Sequence, residues 1–137
     1  MAEALGIAGS LISILELCMK VTIYVKTAKG AAKQKAELKS EIESLAVLIG
    51  GLYDSPDNEG WKETMTHLVK ENGPLHILET KLSSLTDKLA PRSGRGRHKL
   101  EVLAWPFEEK EVNDTIQLIE RQKSTLSLLL NNETRLI

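Results

Sequence analysis

The sequence predicts an all-α protein: a four-helix bundle with an additional short helix and an apolar N-terminal helix. Two runs of leucine and isoleucine indicate this, because their steps alternate between three and four residues and so place one side of a helix against a core. Aromatic residues make up only 4% of the chain, which favours helix packing over a β-sandwich. The two seams are Leu38, Ile42, Leu45, Ile49 and Leu52, and Leu75, Leu78, Leu82, Leu85 and Leu89.

The bulk composition fits a single globular domain over residues 1–137. Hydrophobic residues make up 42% of the chain and charged residues 27%, which is typical of a folded protein. The net charge of −1 argues against general nucleic-acid binding. Cys18 is the only cysteine, so no intrachain disulfide can form and a cytoplasmic setting is expected.

Residues 1–26 predict the apolar N-terminal helix. Within residues 4–25 the only full charges are Glu16 and Lys20, and a helix of this length runs roughly 33 Å, close to the ~30 Å hydrocarbon core of a bilayer. Its polar and small positions fall on one narrow stripe. The stripe consists of Gly6, Gly9, Ser13, Glu16 and Lys20.

Such a helix must be hidden, and two environments fit it. It either lies in the middle of the bundle with only the stripe near water, or enters lipid with the stripe facing partner helices or a lumen. The apolar gain of insertion nearly cancels the cost of Glu16 and Lys20, at about 2.5 to 3.5 kcal/mol each, so a lone permanent span is disfavoured. We expect the bundle position at rest, and insertion that is conditional or depends on oligomerisation.

Two basic stretches accompany this helix. The first follows it directly and holds Lys26, Lys29 and Lys33, with Gly30 as the predicted break before the second helix. The second is the loop of residues 91–99, which holds Arg92, Arg95 and Arg97. Both stretches are compatible with solvated surface and with contact to anionic lipid head groups.

Turn residues divide the rest of the chain. A turn at residues 54–57 precedes a short helix that we expect to bury Trp61, Met65 and Leu68. Asn72, Gly73 and Pro74 are expected to end this helix, because Gly73 is available for a left-handed cap and Pro74 cannot continue the helix. A helical segment over residues 100–131, kinked or restarted at Pro106, is expected to complete the bundle with the apolar face Val112, Ile116, Ile119, Leu126 and Leu130.

The residue pattern disfavours an enzyme. His67 and His76 are separated by the Gly73 break and lack the spacing of paired metal ligands. Cys18 lies within the apolar helix and is expected to be a buried, inert thiol. We therefore expect no catalytic residues, no metal and no cofactor.

Three features together resemble a known family: the small-residue-striped apolar start, the seamed second helix, and Trp105, Pro106 and Phe107 ahead of an acidic helix start. They are similar to the N-terminal HeLo-like domain of fungal STAND proteins, the NLR-like receptors of filamentous fungi, over about residues 1–131. The resemblance implies a helical bundle similar to the four-helix executioner domain of the mixed-lineage kinase-like pseudokinase and to the coiled-coil domains of plant resistance receptors.

The resemblance also implies a function. Family members act as effectors of regulated, immune-type cell death such as heterokaryon incompatibility: they rest in the cytoplasm, oligomerise, and permeabilise the plasma membrane through the N-terminal helix. By resemblance, Glu16 lies on the functional polar stripe. The expected insertion residues are Leu5, Ile7, Leu11, Ile12, Ile14, Leu15, Leu17 and Val21.

The expected partners are membrane lipids, preferably anionic, further copies of the chain, and a nucleotide-binding receptor in cis or in trans. The chain is then either a fragment of a longer receptor or a protein with a different trigger. The alternative is a soluble helical oligomerisation or signalling adaptor that never meets lipid.

Overall fold

The computed structural model describes residues 2–54, 59–70, 73–90 and 105–135, and the ranges 55–58, 71–72 and 91–104 lie outside this description. Five helices form in the described ranges, and no strand forms there: α1 Ala2–Thr27, α2 Ala32–Tyr53, α3 Glu59–Val69, α4 Pro74–Leu89 and α5 Glu109–Arg135. The predicted all-α class is confirmed, with four long helices, one of them the apolar N-terminal helix, and one short helix. The predicted basic loop, residues 91–99, lies wholly outside the described residues, and the predicted turn lies outside them except for residue 54.

Both leucine and isoleucine seams are buried as predicted, because each forms the inward face of its helix. α1 adds a third inward seam, which consists of Leu11, Ile14, Cys18, Val21 and Val25. α5 contributes Val112, Thr115, Ile119 and Leu126. Thr115 is the polar member of this core, and its hydroxyl is satisfied by donating to the Glu111 carbonyl oxygen at 2.8 Å.

The four long helices occupy the corners of a square in the order α1, α2, α5, α4. α1 contacts α2 and α4, and α5 contacts the same two helices, whereas α1 and α5 share no contact within the described ranges. α1 and α5 are therefore diagonal to each other. The short α3 packs on α1, α4 and α5, which lets the chain cross from α2 to the diagonally placed α4.

Polar contacts fix the directions of the helices. Lys88 near the end of α4 meets Glu111 near the start of α5 at 3.3 Å, so these two helices are antiparallel. The indole Nε1 of Trp105, just before α5, donates to Gln34 Oε1 in the first turn of α2 at 2.9 Å, so both helices start at the same end of the bundle and run the same way. Neighbours along the sequence thus alternate in direction, while α1 beside α4 and α2 beside α5 are parallel.

The predicted break at Gly30 is confirmed, and it separates α1 from α2. Gly30 has φ +90°, and the following residue, Ala31, caps α2 at φ 52° without a side-chain hydrogen bond. Glycine enters this left-handed region without steric cost, whereas alanine does so at about 1 kcal/mol. The ammonium of Lys35 donates to the Ala28 carbonyl oxygen and holds the connection against α2.

The predicted left-handed cap at Gly73 is wrong. Gly73 has φ −78° and ψ 165°, an extended conformation that any residue can adopt, and it caps the start of α4 ahead of Pro74. Glycine fits here for a steric reason: an added Cβ would lie 2.7 Å from the Leu68 carbonyl oxygen and 2.9 Å from that of His67. The backbone at the end of α3 therefore approaches too closely for any side chain.

The last helix begins after Pro106, because residues 105–108 are not helical and α5 starts at Glu109. The helical turns predicted before Pro106 fall mostly on residues 100–104, outside the described residues. Its first turn contains the acidic residues Glu109 and Glu111, which stabilise the helix by interacting with the positive end of its dipole. The helix continues to Arg135, a turn beyond the predicted end at residue 131. The backbone amide of Val112 bonds the Glu108 carbonyl oxygen at 3.1 Å and closes this first turn.

Candidate functional site

The two faces of α1 lie in different environments. Its inward seam is buried, but its outer face is open to solvent because the bundle covers α1 from one side only. The expectation that only the polar stripe would meet water is therefore wrong. Ile12, Met19 and Ile23 are 41%, 65% and 54% exposed. α1 occupies a corner of the square, so no helix of the described ranges covers this side.

The structure separates the described members of the predicted insertion set into three groups. Leu11, Ile14 and Val21 are fully buried in the core, while Ile12 faces solvent. Leu15 and Leu17 are half-buried and pack against the core. The side chains of Leu5 and Ile7 lie outside the described part. At rest, most of this set stabilises the bundle.

The polar stripe runs along the exposed side of α1. Glu16 and Lys20 are exposed, as are Gly6 and Gly9, whereas Ser13 is half-buried and its hydroxyl donates to Glu79 Oε1 of α4 at 3.3 Å. An added Cβ at either glycine would meet no described atom within 4 Å. The small size of these two residues is therefore not required by packing within the chain.

A second seam runs along the outer face of α1 beside the polar stripe and shares Gly9 and Glu16 with it. Gly9, Ile12, Glu16, Met19 and Ile23 are separated by alternating steps of three and four residues, the same spacing as the buried seam on the opposite side. We call these five residues the outer seam. Met19 and Ile23 are absent from the predicted insertion set, although their periodicity with Ile12 is visible in the sequence.

The length and composition of α1 suit a membrane. Ala8–Thr27, a stretch of 20 residues with a mean hydropathy of 1.6, is long and apolar enough to cross a bilayer, and only 28% of it is buried. The core helix of a soluble bundle can meet the same criterion of length and composition. The open outer seam distinguishes α1 from a helix enclosed by its bundle.

Basic side chains gather near the end of α1. Lys26, Lys29 and Lys33 are all exposed, and Lys20 lies one to two turns earlier on the same helix. Lys26 in the last turn also suits the negative end of the helix dipole. Arg92, Arg95 and Arg97 lie outside the described residues. The described lysines form a cationic end beside the outer seam.

The residues Trp105, Pro106 and Phe107 hold this same end of the bundle together. The Trp105 backbone amide donates to the Lys29 carbonyl oxygen at 2.9 Å, and its indole Nε1 donates to Gln34 Oε1 at 2.9 Å. The ring of Phe107 meets Trp105 edge-on, with centroids 5.1 Å apart, and the Lys88 ammonium lies 5.6 Å from the centre of the Phe107 ring. Pro106 is exposed. This segment therefore ties α4 and α5 to the α1–α2 connection.

The nucleophilic and imidazole side chains are dispersed. Cys18 is buried as predicted, and burial raises the pKa of its thiol to about 12. His67 and His76 are exposed, with the Lys70 ammonium 3.5 Å from His67 Nδ1. Within the described ranges no three histidine, cysteine or acidic side chains are grouped as metal ligands.

The chain matches no protein-family model, no curated protein and no solved structure. The resemblance to HeLo-like domains consequently rests on the residues quoted for it.

Proposed function

We propose that this chain is a membrane-targeting, pore-forming effector domain of regulated, immune-type cell death, activated by oligomerisation. In this proposal the bundle stores α1 at rest in the cytoplasm, and α1 inserts into the plasma membrane when copies assemble. The observation that carries the proposal is the outer face of α1. A helix long and apolar enough to span a bilayer presents Ile12, Met19 and Ile23 to solvent.

The bundle restrains α1 strongly. Moving α1 into water would expose its five buried seam residues, at about 1.5 to 3 kcal/mol each, or about 8 to 15 kcal/mol in total. This is comparable to the stability of a typical domain, so α1 separates from the resting bundle only rarely. Transfer into lipid recovers this free energy, because the apolar side chains are again removed from water.

Oligomerisation lowers the remaining cost of insertion, which comes from the charged residues of α1. Glu16 and Lys20 each oppose insertion by about 2.5 to 3.5 kcal/mol in a lone helix. In an oligomer the stripe residues face one another or a water-filled lumen and satisfy their charges there. The exposed lysines near the end of α1 then meet anionic head groups, at about 1 kcal/mol per lysine. A nucleotide-binding receptor, in cis or in trans, is a fitting source of the assembly signal.

Dye release from vesicles with and without anionic lipid tests the proposal. Deleting residues 1–25 is a poor test because it removes the α1 core seam, and a charge at Leu11 has the same fault. Met19→Asp and Ile23→Asp keep the core and add a charge that opposes insertion by about 3 kcal/mol or more, which is over a hundredfold. Val47→Asp is the matched control, since Val47 is an apolar residue of α2 with 77% exposure.

We expect the unmodified chain and Val47→Asp to release dye from anionic vesicles, and the two α1 variants to lose most of this activity. Leakage that persists in both α1 variants contradicts insertion of α1. A chain that causes no leakage even when it is forced to oligomerise contradicts the membrane function altogether.

The alternative function is a soluble helical oligomerisation or signalling adaptor. One observation favours it: the outer seam has the spacing that packs against another helix, and the inner seam already belongs to the core. The cellular distribution of a tagged chain separates the two functions. Membrane puncta on activation support the effector, and a diffuse signal with a stable protein complex supports the adaptor.

A further inference from the structure

α1 carries two seams on opposite faces, and the chain covers only one of them. Positions that alternate by three and four residues form the strip with which one helix packs into another. The inner strip meets α2 and α4, whereas Ile12, Met19 and Ile23 of the outer seam remain exposed. The outer seam is therefore shaped to receive a further helix.

The charges on this face point to which helix it is. Glu16 and Lys20 are one turn apart, both are exposed, and neither has an ion-pair partner in the described part of the chain. Two copies of α1 in parallel would place Glu16 against Glu16. Two antiparallel copies related by a two-fold axis place Glu16 of each copy near Lys20 of the other, so two attractive pairs form.

The antiparallel register can be worked out from the spacing. With the two-fold axis between residues 17 and 18, Ile12 lies level with Ile23 of the second copy, and Glu16 with Met19 of the second copy. Lys20 of the second copy is then offset by one residue, about 1.5 Å along the axis, from Glu16. Gly9 lies near the end of this contact, where an added Cβ would meet nothing and the second copy can approach closely.

We infer that the outer seam of α1 is a homodimer interface, in which α1 packs antiparallel against α1 of a second copy. The self-complementary charges select a second copy over an unrelated helix, since the same two residues supply both members of each ion pair. The contact goes beyond the proposed membrane function and forms in lipid-free solution. It also covers the exposed apolar side chains of the resting chain.

The expected affinity is modest. The outer seam from Gly9 to Ile23 extends roughly 22 Å, and such a contact falls at the small end of protein interfaces, below about 1,200 Å² in total. We expect a dissociation constant in the micromolar range or weaker, because contacts of this size are typical of transient complexes. Sedimentation equilibrium of the full chain from a few to several hundred micromolar covers this range.

A charge-swap experiment tests the pairing. Glu16→Lys and Lys20→Glu each turn two attractive pairs into two repulsive ones, so each variant alone should self-associate about tenfold or more weakly. Mixing the two single variants restores both attractive pairs between unlike copies, and the double variant E16K/K20E restores them between like copies. Lys39→Glu is the matched control, because Lys39 and Glu43 form an exposed pair of the same spacing on α2, 3.7 Å apart.

We expect the unmodified chain, Lys39→Glu and the double variant to dimerise alike, and the two single variants to dimerise only when mixed. A mixture of the single variants that stays monomeric overturns the antiparallel pairing. An unmodified chain that stays monomeric throughout the concentration range overturns the interface. Monomeric chain that instead binds anionic vesicles through Ile23 overturns it as well and assigns the outer seam to lipid. Circular dichroism of each variant verifies the fold.

Discussion

Replacing Ile14 with alanine should loosen α1 selectively. Ile14 is completely buried in the inner seam of α1, and truncating a buried isoleucine to alanine costs about 2 to 5 kcal/mol through lost burial and the cavity left behind. If α1 opens as a unit of its own, this cost lowers the free energy of that opening. A value of about 3 kcal/mol makes the α1 amides exchange about a hundredfold faster.

Ile119→Ala provides the matched control. Ile119 is an equally buried isoleucine, but it lies on α5, which has no contact with α1 in the described ranges. Both variants should lose similar amounts of global stability in a urea titration. Only Ile14→Ala should accelerate exchange of the amides in residues 11–25, as measured by hydrogen–deuterium exchange, and raise the rate of vesicle leakage.

Equal acceleration of the α1 amides in both variants would refute this reasoning. It would mean that α1 leaves only when the whole bundle unfolds, because both substitutions would then act through global stability alone. A helix that cannot separate from its bundle cannot be a stored insertion element. The exchange experiment needs no membrane, so it tests the storage step independently of leakage.

Three further predictions concern single sites. Gly73→Ala should lower the free energy of unfolding by more than about 1 kcal/mol, because the added Cβ would meet backbone carbonyl oxygens. Gly50→Ala should leave stability unchanged or raise it, because Gly50 is helical and an added Cβ would meet open space. Thermal melts of the two variants compare these effects. Lys123→Ala should cost about 1 to 3 kcal/mol in urea unfolding, since it removes the cation 2.8 Å from the buried Glu41 Oε1, and Lys123→Arg should recover part of this loss. Burial raises the pKa of the Cys18 thiol from 9.0 to about 12, so the free energy of unfolding should fall as the pH rises from 9 towards 12. Because Cys18 is buried, a thiol reagent at pH 8 should label it only as fast as the chain opens. A Gly73→Ala chain as stable as the unmodified protein, a stable Lys123→Ala chain, or immediate labelling of Cys18 would contradict the respective argument.

The bundle helices could be predicted because their signals are local. The seams of α2 and α4 repeat within each helix, and every residue of both seams is buried as expected. Gly30 is a local signal as well, because glycine after the last apolar position of a helix predicts its end, and the structure places Gly30 in the left-handed region. Gly73 was assigned the wrong conformation because its requirement for glycine comes from the close approach of α3 carbonyls, which the local sequence does not encode.

The role of Trp105 shows what a motif cannot disclose. The sequence marks Trp105, Pro106 and Phe107 as a distinctive block, but it does not state what the block touches. In the structure the indole reaches Gln34, 71 residues earlier in the chain, and the backbone amide reaches Lys29. Contacts between residues so far apart in sequence depend on how the helices assemble.

Residue spacing and composition alone predict that the chain forms helices, which face of α2 and of α4 is apolar, and that α1 is unusually rich in apolar side chains. These properties follow from residue spacing within one helix, which needs no partner to be recognised. The packing of the helices places α1 at a corner, diagonal to α5, and leaves Met19 and Ile23 uncovered. An apolar helix is compatible with many packing positions, and the number of neighbours that surround it is fixed only when all the helices pack together.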